Sequence, residues 1–166
     1  VSMEEAVRNA GMLIQAGADC VKMEGGIEIA PTVEKVVKAG IPVMGHIGLT
    51  PQSAAALGGF KVQGKSADTA KKLLEDAQEL EKAGAFSFVV ECVPVQVTKL
   101  IHESTNMTLI STGSGPYADG FNLNAYDLIG MFDRFKPKFV KRYGQIGAEI
   151  RQAFNEFTQD CVSGAY

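Results

Sequence analysis

The chain has 166 residues, enough for one domain with a sizeable core. Hydrophobic residues make up 46% and charged residues 21%, an ordinary globular balance rather than a disordered or fibrous one. The net charge is -3, and there is no basic run, low-complexity tract or apolar span long enough to cross a bilayer, which argues against nucleic-acid binding and membrane insertion.

Ser2-Met3-Glu4-Glu5 has the form of a capping box, and Ala6, Ala10, Leu13 and Ile14 then recur at helical spacing up to Gly17. Cys20 to Glu24 reads as a strand running into Gly25-Gly26. Pro31 opens a second helix with Val33, Val36 and Val37 as its apolar stripe, and Gly40 stops it. Ile41 to Met44 reads as a short apolar strand. It is followed by a long glycine-rich polar loop carrying His46, Thr50 and Gln52, the kind of loop on which α/β enzymes present active sites.

Ser66 or Asp68 can cap the clearest helix, with Ala70, Leu73, Leu74, Ala77 and Leu80 along one face and Gly84 at its end. Phe86 to Val93 is a nearly continuous apolar run, the pattern of a strand covered on both faces. Pro94 opens a helix to about Glu103, and Met107 to Ser111 is a further strand ending in Thr112-Gly113-Ser114-Gly115-Pro116. A weak strand is expected over Phe121 to Ala125, and a helical tail from Pro137 to about Val162.

Ala16-Gly17, Ala39-Gly40 and Ala83-Gly84 each close a helix just before a strand. This repeated unit predicts an α/β fold with a parallel sheet, either a closed (β/α)8 barrel or an open doubly wound sheet. Neither GxGxxG nor a P-loop is present, so nucleotide binding of those kinds has little support. Cys20, Cys92 and Cys161 form no CxxC pair; Cys20 and Cys92 lie in apolar runs, which favours free core thiols and a reducing compartment. The expected location is cytoplasmic. The chain begins without Met and inside a helix signal, so a targeting segment upstream is not judged.

In barrels the reacting groups sit at the C-terminal ends of the strands. Lys22 and Glu24 are two apart on one strand and point the same way, either as functional groups or simply as an ion pair. His46 is expected to end the second strand, as a reacting group or a hydrogen-bonded loop histidine. Glu91 interrupts an apolar run, where a carboxylate is costly to bury unpaired. A cation, an imidazole and two carboxylates on three strand ends suit metal-assisted proton abstraction beside a carbonyl. His102 reads as solvated, and Lys136, Lys138, Lys141 and Arg142 as a basic cluster near the last helix that an anionic substrate tail could use.

VKMEGG (21–26), GIPVMGHIGLTPQS (40–53), GGFKVQGK (58–65), AGAF…VVECVP (83–94) and PKFVKRY (137–143) resemble the ketopantoate hydroxymethyltransferase family, and the resemblance runs from Ser2 to Tyr166. It implies a (β/α)8 barrel, present here as about the last five strands in a single domain over 1–166 with a C-terminal helical tail. It implies transfer of a hydroxymethyl group from 5,10-methylenetetrahydrofolate to 3-methyl-2-oxobutanoate, giving 2-dehydropantoate, with Mg2+ as cofactor and a large homo-oligomer. By the same resemblance Lys22 holds the keto acid, Glu24 belongs to the magnesium site, His46 lines the substrate pocket and Glu91 is the catalytic base.

Two departures qualify the resemblance. The family's opening strands, which carry two metal-binding aspartates and a substrate-contacting serine, are not found in these residues. The family's GIGAG-like strand ending is replaced by Ser111-Thr112-Gly113-Ser114-Gly115, whereas the later frame survives as Asp119, Gly120, Leu123, Asp127 and Gly130. The competing expectation is a non-catalytic barrel remnant serving as a binding or structural subunit.

Overall fold

The computed structural model describes residues 2–166. The chain forms two compact units, one ending at Asn122 and the other comprising Leu123–Tyr166. The first contains α1 (Met3–Gln15), β1 (Val21–Glu24), α2 (Ala30–Lys38), β2 (Val43–Gly48), a single 3-10 turn at Pro51–Ser53, α3 (Ala67–Lys82), β3 (Ser87–Glu91), α4 (Val95–Ser104), β4 (Thr108–Thr112) and β5 (Gly120–Phe121). The second contains α5 (Ala125–Leu128) and α6 (Ile146–Ser163).

All five strands are parallel and lie in the order β1-β2-β3-β4-β5. Sequential parallel order is that of a (β/α)8 barrel wall, and it rules out the doubly wound alternative, in which strand order reverses at a switch point. The helices form where the sequence signals them. Ser2 Oγ accepts from the Glu5 amide at the start of α1, and Ser66 and Thr69 form a reciprocal capping box on α3. The helices α1, α2 and α3 end at Ala16, Ala39 and Ala83, each followed by a glycine with positive φ.

The core lies between the helices and one face of the sheet. Val21, Val43, Ile47, Phe88, Val90 and Leu109 point to that face and pack with Val33, Val36, Ala77, Leu80 and Ile101. Because side chains alternate along a strand, the other face carries Lys22, Glu24, His46, Val89, Glu91, Ile110 and Thr112. In a barrel this second face is the interior, and it is markedly more polar than the helix-covered one.

Several elements differ from the sequence reading. β2 runs from Val43 to Gly48, so His46 lies within the strand rather than at its end. Gly45 reads as a loop residue, but here it lies in β2 beneath α3, where a Cβ would stand 2.8 Å from Leu80 Cδ1. The weak strand expected over Phe121 to Ala125 is reduced to Gly120–Phe121, because the chain turns into α5 at Ala125.

The expected helix from Pro137 begins only at Ile146. Residues 137–145 are irregular, and at their end Gly144 lies against the backbone of Ile129 and Gly130. Added Cβ atoms at Gly130 and Gly147 would stand 2.4 Å from the Gly144 carbonyl and 2.9 Å from the Gly130 carbonyl.

His102 is not simply solvated either. Its Nε2 lies 3.2 Å from Asp119 Oδ1, while Asp119 Oδ2 accepts from the Leu109 amide at 2.8 Å. The Leu109 amide first, and then His102, hold the Asp119 carboxyl below its ordinary value of 3.8. A carboxylate with a depressed native pKa adds stability above its unfolded pKa, and that stability is lost as pH falls through the native pKa. Asp119→Asn is therefore expected to lower the urea midpoint at about pH 5, with the difference shrinking as pH falls through the native pKa of Asp119. A difference that persists unchanged at lower pH counts against this pairing as its source.

Candidate active site

Lys22, Glu24, His46 and Glu91 converge on the uncovered face of the sheet. The register pairs Glu24 with His46, and Glu91 with Gly48 and Thr112. Lys22 Nζ lies 3.1 Å from Glu24 Oε1 and 3.2 Å from His46 Nδ1. The second Glu24 oxygen accepts the Gln52 amide at 3.0 Å, so the 3-10 turn after β2 reaches back to β1. Burial works to raise the Glu24 pKa, but the Gln52 amide and the Lys22 ammonium outweigh it and keep the carboxyl below its usual range.

His46 is only 2% exposed. An ammonium offers only donors, so Lys22 donates to Nδ1 and the ring proton is assigned to Nε2. That Nε2 lies 3.3 Å from Glu91 Oε2 without forming a hydrogen bond to it, and it is buried with no other hydrogen-bond partner among the described residues. An orphaned buried donor is costly and marks a place where a polar ligand atom can be received. The Glu91 side chain is 17% exposed and Lys22 is 45% exposed, so the cluster is reachable from the uncovered face.

The segment after Glu91 is tightly held. Cys92 has φ 51, the one positive value outside glycine among the described residues. The Cys92 amide donates to the Thr112 carbonyl, and Ser114 Oγ donates to the Val90 carbonyl at 2.8 Å while accepting the Val93 amide at 3.0 Å. The two backbone groups that Ser114 bridges flank Glu91 and Cys92. Burial, and then the Glu91 charge, push the Cys92 thiol up to about 11, so it is not a nucleophile at neutral pH.

The structure adds the buried Asp76, which the sequence reading does not single out, and gives specific contacts to the Gln52 amide and to Ser114, which lie in stretches it does name. Asp76 carried a legible signal, since it falls at helical spacing among Leu73, Ala77 and Leu80. The basic cluster lies in the second unit, where Lys141 Nζ stands 4.8 Å from the Tyr143 ring centroid and Arg142 Nη2 donates to the Phe132 carbonyl.

Comparison with known proteins decides the family. The ketopantoate hydroxymethyltransferase family profile matches residues 1–166. This chain belongs to that family. It is 55% identical over 167 residues to the 3-methyl-2-oxobutanoate hydroxymethyltransferase of Heliobacterium modesticaldum, covering 100% of this chain and 60% of that protein. It is 50% identical over 165 residues to the enzyme of the same name from Caldicellulosiruptor bescii, covering 99% and 62%. The chain thus spans about 60% of the length of the curated relatives it matches. Among solved structures, a dihydrodipicolinate synthase from Agrobacterium tumefaciens aligns with TM-score 0.47 and 16% identity over 67% of this chain and 38% of that one.

Magnesium usually takes one or two carboxylates plus water and substrate oxygens in an octahedron. Among the described residues no group of three or more His, Cys, Asp or Glu side chains could hold a metal ion. Glu24 is the carboxylate that the resemblance assigns to the metal, and both of its oxygens are engaged, by Lys22 and by the Gln52 amide. These residues alone do not make a magnesium site.

Proposed function

We propose that this chain forms the keto-acid half of a hydroxymethyltransferase site, acting on 3-methyl-2-oxobutanoate with 5,10-methylenetetrahydrofolate as the one-carbon donor. The observation that carries the reading is the unpartnered Nε2 of His46, buried between the Lys22–Glu24 pair and Glu91. Lys22 is the cation for the substrate carboxylate. Glu91 is the base that removes the proton from the carbon beside the keto group, leaving an enolate; water releases the one-carbon unit from the folate as formaldehyde, with tetrahydrofolate departing, the enolate carbon attacks that formaldehyde, and the new alkoxide takes up the proton held by Glu91. His46 offers its Nε2 proton to a substrate oxygen or to the Glu91 carboxylate, which keeps the base close to the reacting carbon.

Magnesium, if it serves this reaction, meets Glu24 as one ligand and requires further oxygen ligands beyond those described. Oligomer formation and a cytoplasmic location are part of the same proposal. Among the described residues no helix is long and apolar enough to cross a membrane.

The test is made in the chain joined to the part of its relatives that it does not span. Lys22→Ala is expected to raise the KM for 3-methyl-2-oxobutanoate by about tenfold or more, the usual cost of losing a charge-assisted contact, and to leave the folate KM nearly unchanged. Equal effects on both constants would reduce Lys22 to an ion-pair partner of Glu24. Failure of the joined protein to form 2-dehydropantoate at all would overturn the reading itself.

A further inference from the structure

Asp76 lies on α3 yet is only 6% exposed, a charged side chain directed away from water. A buried carboxylate is expensive unless it is hydrogen-bonded, and this one has a specific partner. Its Oδ1 accepts the Ile27 amide at 2.9 Å, across 49 positions of sequence. Ile27 belongs to the short turn that leaves β1 immediately after Glu24.

The turn is shaped to admit this carboxylate. A Cβ on Gly26 would stand 2.0 Å from Asp76 Oδ1 and 2.1 Å from its Cγ, so only glycine allows the approach. The preceding Gly25 has φ +135, and its amide donates to the His46 carbonyl at 3.0 Å. Glu28 Oε1 accepts the Gly26 amide at 3.3 Å. The residues that follow Glu24 are therefore tied on one side to the backbone of His46 and on the other to Asp76.

We infer that Asp76 is a positioning residue that anchors the Gly25–Ile27 turn from the helix layer and thereby fixes Glu24 against Lys22 and the Gln52 amide. The inference rests on the proposed role of the Lys22–Glu24–His46 cluster, but its geometry stands apart from the reaction. Asp76 touches no group of the cluster, so it acts through the backbone of the turn alone. Without it, the strand end keeps its ladder to β2 but loses the tether that sets where Glu24 points.

Site-resolved amide hydrogen exchange of the chain without substrate tests this. In Asp76→Ala the Ile27 amide loses its acceptor, and exchange there is expected to rise about tenfold or more. The decisive amide is Gln52, which donates to Glu24 and is remote from Asp76 in sequence. It is expected to accelerate as well, together with Gly25, while the Leu49 and Ala83 amides keep their protection. Asp76→Asn, which retains an acceptor oxygen, should restore the parent pattern.

Gly26→Ala supplies an independent variant if Asp76→Ala does not fold. It leaves the carboxylate in place but forces it away from the turn, and the same three amides should exchange faster. Acceleration at Ile27 with Gly25 and Gln52 unchanged would overturn the inference, leaving Asp76 as a local staple. Full protection of all three in Gly26→Ala would overturn it too. No outcome of this measurement depends on turnover, so it fails or succeeds separately from the proposed reaction.

Discussion

Replacing Glu91 by Gln is expected to lower turnover by about a hundredfold or more while leaving the fold and keto-acid binding intact. Gln keeps the shape and one carbonyl acceptor but cannot accept a proton at neutral pH. The backbone around Glu91 is held without its charge: the Leu49 amide bonds to its backbone carbonyl, and the Ser114 hydroxyl holds the backbone on either side. Urea denaturation should therefore give nearly the same midpoint for parent and variant. The measurement is kcat for 2-dehydropantoate formation in the joined protein, with the KM for 3-methyl-2-oxobutanoate as its internal control. Near-normal kcat in the variant would remove Glu91 from the chemistry.

Gly48→Ala is expected to damage both stability and activity. Gly48 has φ +90, and a Cβ there would stand 2.3 Å from the Glu91 carbonyl oxygen and 2.7 Å from Val93 Cγ2. The backbone strain alone costs about 1–3 kcal/mol, and the clash is with backbone, which has nowhere to retreat. A loss of about 3 kcal/mol is expected, read as a lower urea midpoint with little change in slope. Because the clash is with the residue that carries the proposed base, kcat should fall beyond what the folded fraction explains. The comparison with Glu91→Gln is informative: one variant loses chemistry alone, the other loses chemistry through geometry. A Gly48→Ala protein of parental stability would mean that β2 and β3 meet differently at this point.

Much of this was legible in the residues. The repeated helix, glycine, strand unit led to a parallel α/β sheet because each helix carries one apolar stripe and each strand needs cover. Glu91 stood out because an acid inside an apolar run has no cheap place to go. Lys22 and Glu24 were brought to one face by the alternation of a strand.

His46 was misplaced by two residues of logic rather than of chemistry: Gly45 and Gly48 look like loop, and their real use, admitting Leu80 and the Glu91 carbonyl, is visible only once neighbouring strands are in register. Asp76 was passed over because an acid on an amphipathic helix is usually solvated. The late chain was misread because Pro137 opens a helical pattern, whereas the helix starts only at Ile146, amid close backbone packing at Gly130, Gly144 and Gly147.

The sequential strand order has a kinetic consequence. Every strand hydrogen-bonds to its nearest strand neighbours along the chain, so no pairing waits for a distant segment to arrive. Loop-closure entropy is then met in separate instalments, one for each connection between neighbouring strands. The sheet can grow by addition, one helix-strand unit at a time, with each new strand finding a template already formed. The slowest instalment falls between β2 and β3, where the loop carrying Thr50 and Gln52 and the whole of α3 must be gathered before the strands meet. That is also where His46 and Glu91 come together, so the proposed site is assembled at the most expensive closure in the sheet.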